Sequence, residues 1–409
     1  QWSVMVDGIA VQHGALNIPH LDPQSHTPLT IPMVSPRLIA GQVSHVNVSF
    51  CLTRDLPWAK KGDEIAWEQF VLSCHKPRLR APRAHKMTTT ASDDIFQVAW
   101  QGDRPGSLTI NRQTGRLEEL MFADEQVLAA GPALSIFRAP TDNDGRMAAE
   151  GTATGVLSRW LAWGLDRIRP DCSSIRDISK QGIPGFAVTH HIGTKEGRIH
   201  HEQTLQILAP GDLLFQESIR IPKALNDLPR LGIVLELLPG FENLEYFARG
   251  PHENYRDRNR GARLGRYTDT VTNQYVPYIL PQEHGNRSDM HWCALNNGQS
   301  GVLIIGPTGG DFSASHYREE DLFHAAHTHE LEPVDETRIH IDLVNRGVGT
   351  GACGPDTLPS YRIGGGTHIF SWRLMSFIPG KDDLAELARR QYRTANGARP
   401  KQAWRKKHE

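Results

Sequence analysis

Short runs of alternating side chains constrain the fold of this chain more than any other feature. Trp2, Val4 and Val6 alternate with Ser3, Met5 and Asp7. Val46, Val48, Phe50 and Leu52 alternate with Asn47, Ser49 and Cys51. Ile339, Ile341 and Leu343 alternate with Arg338, His340 and Asp342, the pattern of an antiparallel sheet with one face on a core and one in water. Further strand-length runs fall at 106–111, 117–122, 199–208, 213–221, 231–237, 301–306 and 368–377. No convincing β-α-β repeat interrupts residues 94–379. An all-β fold follows, with one large antiparallel sandwich over that span.

Residues 1–80 carry strands separated by Pro/Gly-rich turns, including a hairpin turn at Asp7-Gly8 and a strand at 65–72 with Trp67 and Phe70. That spacing suggests an Ig-like β-sandwich. The sequence opens on Gln1, already inside a strand, so the first Ig strand is expected to precede it in a longer polypeptide. A basic stretch around Pro77 and Pro82 leads into a linker over 81–93. Within the large sandwich, 157–165 reads as a short helix and Gly364-Gly365-Gly366 as a hairpin turn. The tail, 380–409, begins with helical spacing over 382–393 (Leu384, Leu387, Ala388) behind an acidic first turn, and ends in a basic, solvated segment.

Composition excludes several classes. Lys and Arg number 45 against 46 Asp and Glu, so the basic excess of a nucleic-acid binder is missing. No run approaches the ~20 apolar residues of a membrane-spanning helix. Five widely spaced cysteines without a C-x-x-C pair argue against a disulfide framework or a Cys-based zinc site. With no basic-then-apolar leader visible, a cytoplasmic setting is expected. Phosphate loops, nucleophile elbows and Rossmann fingerprints are absent from the sequence.

Three clusters could carry chemistry. Asp142-Asn143-Asp144 sits in a turn between Pro140 and Gly145, and either makes Asx-turn bonds or binds a cation or sugar hydroxyls. The segments 250–258 (Gly-Pro-His-Glu-Asn-Tyr-Arg-Asp-Arg) and 282–287 (Gln-Glu-His-Gly-Asn-Arg) concentrate hydrogen-bonding groups at strand ends. They either furnish a sugar cleft or lock loops through a buried network. His324, His327 and His329 lack a completing ligand set, and no metal site is expected there.

The run Phe137-Arg138-Ala139-Pro140-Thr141-Asp142-Asn143-Asp144 resembles the large β-galactosidases of glycoside hydrolase family 2. The resemblance continues through 250–258, 275–287, 349–356 and, in the first domain, 64–69. It implies that residues 1–80 correspond to the second Ig-like domain of that family. Residues 94–379 would correspond to its C-terminal supersandwich, related to galactose mutarotase.

What the resemblance implies about activity is unusual. Retaining glycosidases use two carboxyl groups about 5 Å apart. In this family both belong to a (β/α)8 barrel that this chain lacks, so no catalytic residue is carried over. The chain is expected to be inactive alone, and to be either the C-terminal part or a small subunit of a β-galactosidase that acts on β-galactosides such as lactose. Its expected partner is the barrel-bearing portion, in cis or as a separate chain, within an oligomer. Mg and Na ions are expected with the barrel and no cofactor on this chain.

By resemblance, 145–155 corresponds to a loop that closes over substrate, hinged at Gly145, Gly151 and Gly155, with Glu150 nearest the sugar. Asn143 and Asp144 join it as candidate substrate-binding residues. So does Cys353, at the aglycone platform where some relatives carry Trp. Cysteine offers far less stacking area, so weaker aglycone binding is expected. The rival expectation is a stand-alone carbohydrate-binding or mutarotase-like module with a cleft of Glu253, His284, Arg287 and His291.

Overall fold

A computed structural model describes residues 1–75, 78–81, 87–102, 104–146, 155–351 and 354–392. The chain begins with β1 (Trp2–Val6), β2 (Ile9–Gly14), β3 (Val43–Cys51) and β4 (Glu64–Cys74). These form one antiparallel sheet in the order β2-β1-β3-β4. Asp7 (φ 49) and Gly8 (φ 81) both take positive φ, as a tight two-residue hairpin turn requires. Cross-strand register places Val4 opposite Val46, and Val46 opposite Phe70, on one face. Trp2, Val4 and Val46 are buried there, whereas Phe70 at the outer strand is 52% exposed.

The other face docks on the rest of the chain. The Gln69 side-chain amide donates to the Leu264 carbonyl (2.8 Å) and accepts from the Leu264 N–H (3.0 Å), copying a strand's backbone pairing. Beside it the Arg263 guanidinium lies 4.4 Å over the Trp67 ring.

The second body has two sheets. The smaller is a meander of Met87–Ala91, Ile95–Trp100, Gly106–Asn111, Leu117–Phe122 and Glu125–Gln126. Its first strand lies inside the expected linker. Thr88, Thr89 and Thr90 bury little on this edge, so no apolar alternation announces the strand; backbone pairing with Ile95–Trp100 holds it.

The larger sheet has twelve antiparallel strands. Its centre is the long strand Gly301–Ser315, which pairs with Gly366–Phe377 along its first half and Thr337–Asn345 along its second. Arg287–Asn296 flanks it on the other side. One apolar core joins both sheets: Trp100, Leu108 and Leu120 from the small sheet, Phe186, Phe215 and Trp372 from the large one. Phe215 and Trp372 stack with ring centroids 4.1 Å apart. Burial of each such ring contributes about 1.5–3 kcal/mol. The helix α1 (Val156–Trp163) adds Val156, Trp160 and Trp163, spaced to line one helical face, and ends at left-handed Gly164.

Two expectations need correction. Gly364-Gly365-Gly366 is not a hairpin turn, because Gly301–Ser315 lies between the strands it connects. A Cβ on Gly365 would come within 2.3 Å of the Pro222 carbonyl oxygen, so glycine permits a close backbone approach there. The polar face of Thr337–Asn345 is not solvated either: His340 and Asp342 are as buried as Ile339 and Ile341.

The tail helix is shorter than its spacing suggested. α2 (Glu319–His324) precedes it in the chain, and α3 (Leu384–Arg389) is capped by Asp383, which accepts from the Glu386 N–H at 3.0 Å. Gln391–Tyr392 then pairs in parallel with Leu79–Arg80. Tyr392 is buried against Ile183, Leu208 and Leu214, a tertiary contact that a local pattern does not reveal.

Candidate functional site

The Asp142–Asp144 turn is built by its neighbours in sequence. Thr141 stands in extended backbone and accepts from the Asp144 N–H, while the Asp144 carboxylate accepts from the Thr141 N–H at 2.9 Å, a reciprocal cap. Gly145 (φ 103) then leaves the turn through left-handed backbone. Beneath lies Arg138, fully buried, which grips both Asp144 oxygens at 2.9–3.0 Å and donates to Asn345 Oδ1 and the Arg346 carbonyl. Asp144 therefore props the turn from below, with both carboxylate oxygens engaged by Arg138.

Asn143 points sideways instead. Its Nδ2 donates to the Gly349 carbonyl at 2.8 Å. A Cβ on Gly351 would lie 2.7 Å from the Asn143 carbonyl oxygen, so the two turns are in direct contact. Asp257 fixes the second turn by accepting from the Val348 and Gly349 N–H groups at 3.1 and 2.8 Å. Segment 250–258 thus holds the Val348–Gly349 backbone beside the Asp-Asn-Asp turn. Cys353 and Glu150 themselves lie outside the described residues, as does Gly151.

A charged scaffold carries these loops. Arg346 donates to both Asp227 oxygens (2.7 and 3.1 Å) and to Asp356 (2.9 Å). Arg159 and Trp160 of α1 bind the same Asp227. A parallel cluster centres on buried Arg230, which meets Glu283 at 2.7 Å, Asp342 at 2.9 Å and Glu319 at 3.6 Å. Burial alone would lower the Arg230 pKa; Asp342, Glu283 and Glu319 outweigh it and hold it raised. Burial pushes the Asp342 carboxyl up to about 8, against the pull of Arg230, with Asp311 adding to the rise. A Cβ on Gly232 would sit 2.1 Å from Asp342 Oδ1, so glycine opposite this carboxyl makes room for it.

The two polar segments do come together. Glu253 Oε2 accepts from the Gly285 N–H at 2.7 Å, and Asn286 Nδ2 donates to the Asn254 carbonyl at 2.8 Å. Tyr278 donates to the other Glu253 oxygen. Arg287, also buried, donates to the Gly285 carbonyl and Gln274 Oε1. Most of the polar capacity is consumed internally, as in a loop-locking network. Among the described residues, buried atoms here without a hydrogen-bond partner include His284 Nε2, the Tyr255 hydroxyl and Asp142 Oδ1.

His291 does not join them. It stacks on Phe247 at 4.5 Å and lines a cavity of about 320 Å³ between the first sheet and α3, with Asp7, His75 and Arg389. Burial holds its pKa down at about 4.

Sequence reasoning missed Arg346, Asp227, Asn345 and Arg230, which lie far from the quoted motifs or at their edges. A charged residue at a core position of a strand, such as Arg230 directly before the apolar run 231–237, was the available signal. It missed Arg146 as well. That guanidinium donates to the carbonyls of Pro281, Leu322 and Ala325, tying the exit of the Asp-Asn-Asp turn to α2.

Four cysteines, Cys51, Cys74, Cys172 and Cys293, are free thiols. Among the described residues no helix is long and apolar enough to cross a membrane.

The family described as beta galactosidase small chain matches residues 102–374, and beta-galactosidase, domain 4, matches residues 1–73. Beta-galactosidase of Psychromonas ingrahamii is 28% identical over 85% of this chain and 34% of its own length. Beta-galactosidase of Vibrio cholerae is 29% identical over 85% of this chain and 33% of its own length. The chain thus spans about a third of the length of these curated relatives. Among solved structures it is similar to galactose 1-epimerase from Lactobacillus acidophilus (9% identity, TM-score 0.38, covering 71% of this chain and 98% of that one).

Proposed function

The chain belongs to the beta galactosidase small-chain family, and on that premise we propose that it completes the sugar pocket of a family 2 β-galactosidase whose catalytic carboxylates lie on another portion. One observation supports this reading best. The Asp142–Asp144 turn and the Gly349–Gly351 turn, far apart in sequence, are held edge to edge by Asn143 and braced by fully buried Arg138. A wall for a substrate needs such a braced pair of loops; a self-sufficient glycosidase also needs two carboxyls at about 5 Å. The proposed substrate is a terminal β-galactoside such as lactose, with a proposed role in lactose catabolism and a cytoplasmic setting. Mg and Na belong to the barrel portion, which is the partner within an oligomer.

Mixing the chain with a barrel-bearing portion and following nitrophenyl-galactoside hydrolysis tests this. Activity present only in the mixture is the expected result; hydrolysis or mutarotation by the chain alone would overturn it. Within an intact enzyme, Cys353→Trp is expected to tighten glucose or lactose binding by supplying a stacking face. The stand-alone module is the weaker reading. Glu253 and Arg287 are spent on neighbouring loops, and His291 faces a different cavity.

A further inference from the structure

Beyond α2 the chain reaches Ala325 and Ala326 and then the 3-10 turn Thr328–Glu330. Read as a strand, this segment would place His327 and His329 on one face and His324 off it. A 3-10 turn repeats every three residues, so it brings His327 and Glu330 together. His327 Nδ1 lies 2.9 Å from Glu330 Oε1, and the His327 and His329 rings stack with centroids 5.3 Å apart. One donor atom from each of the three side chains falls within 4.8 Å of the others, and all three are exposed.

The carboxylate is also aimed. Glu330 Oε2 accepts from the Ala326 N–H at 2.8 Å, which leaves Oε1 turned toward the imidazoles. The two imidazoles are stacked, and His327 is hydrogen-bonded to this oriented carboxylate.

We propose that His327, His329 and Glu330 form a surface site for a divalent transition-metal cation of the Zn²⁺ type. Two imidazole nitrogens and one carboxylate oxygen are the donor set that suits Zn²⁺, Ni²⁺ or Cu²⁺. Mg²⁺ and Ca²⁺ demand oxygen ligands throughout. Water completes the shell from the open side, and the cation takes the place of the proton shared by His327 and Glu330. The site also has a structural neighbour: Arg146 donates to the Leu322 and Ala325 carbonyls at 2.6 Å, just before this turn. A bound cation would stiffen the segment that Arg146 holds.

The test is calorimetric titration of the whole, chelator-stripped chain with Zn²⁺, with Co²⁺ visible absorption as a second readout of an ordered nitrogen-oxygen shell. Saturable binding is expected, weakened at least about tenfold in both His329→Ala and Glu330→Gln, since loss of even an outer-shell group costs that much. His324→Ala should bind normally, because that ring stacks on Phe323 instead. All three positions are at the surface, and far-UV circular dichroism confirms that each variant is folded. No saturable binding, or affinity unchanged in His329→Ala or Glu330→Gln, overturns the assignment. So does loss in His324→Ala.

Discussion

The first sheet and the large sandwich use the same strand chemistry with opposite economy of charge. In the first sheet, β4 leaves Ile65, Phe70 and Val71 more than half exposed, and the Glu64–Arg263 pair that ties the sheet down sits near the surface. In the sandwich, the central strands are buried on both faces, and Arg138, Arg230 and Arg346 lie inside among carboxylates. The lesson is that position of charge marks role. Buried ions do little for net stability over apolar substitutes, yet removing one partner is costly. They occur here under the loops that shape the candidate pocket, where fixed geometry matters more than stability.

The largest expected effect breaks that contrast directly. Arg138→Met would leave Asp144 buried without its main partner, because Arg346 approaches only to 3.6 Å. A loss of about 3–5 kcal/mol in urea unfolding is expected. Glu64→Gln in the first sheet removes an ion pair of the same type, but a partly exposed one, and should cost under about 1 kcal/mol. Equal losses for the two variants would erase the distinction between the regions.

Acid should act next, at the junction of the two bodies. Burial, then the neighbouring His291 and Arg249, lower the His45 pKa from 6.5 to about 4, with Asp7 partly opposing them. The folded state thus prefers neutral imidazole, and the unfolded chain binds more protons between pH 6.5 and 4. Stability is therefore full above pH 6.5 and falls as pH drops toward about 4, by up to about 3 kcal/mol from His45. Denaturation midpoints at pH 7.5 and 4.5 should differ less in His45→Gln than in the wild type. An unchanged difference would place the acid sensitivity elsewhere.

Much of this architecture was legible in the sequence, for a physical reason. Alternation reports a strand wherever one face is apolar, so Val4, Val46 and Ile341 announced themselves. It fails at Thr88–Thr90, where an edge strand buries little, and at His340 and Asp342, whose buried polar face imitates a solvated one. The Asp-Asn-Asp turn was readable from its motif. What Asp144 does there was not, since its partner Arg138 is close in sequence but its role depends on Asn345 and Arg346 from a distant strand end. His327 and His329 stood out in the sequence, but Glu330 did not, because a strand period of two does not bring it to His327 as the 3-10 turn does.

A smaller effect sharpens the link between scaffold and pocket. Asn143→Ala removes the bond to the Gly349 carbonyl and should cost about 1 kcal/mol of stability. Activity reconstituted with a barrel-bearing portion should fall further than that loss of stability explains, since the two turns would no longer share an edge. Parallel loss of activity and stability would reduce Asn143 to an ordinary loop contact.

The smallest effect probes the exposed face of the first sheet. Phe70 shares a face with buried Val46 but stands 52% exposed at the outer strand, so its ring contributes little to the sheet in this chain. Phe70→Ser should change unfolding free energy by no more than about 0.5 kcal/mol. It should also raise the concentration at which the isolated chain stays monomeric, because an exposed aromatic on an edge strand invites pairing. Val4→Ala, two strands further in and fully buried, sets the scale at about 1–3 kcal/mol, since it removes core methyl groups and leaves a small void. If Phe70→Ser were as costly as Val4→Ala, the apolar face of this sheet would be a closed core, and the contrast with the sandwich would lie in charge alone.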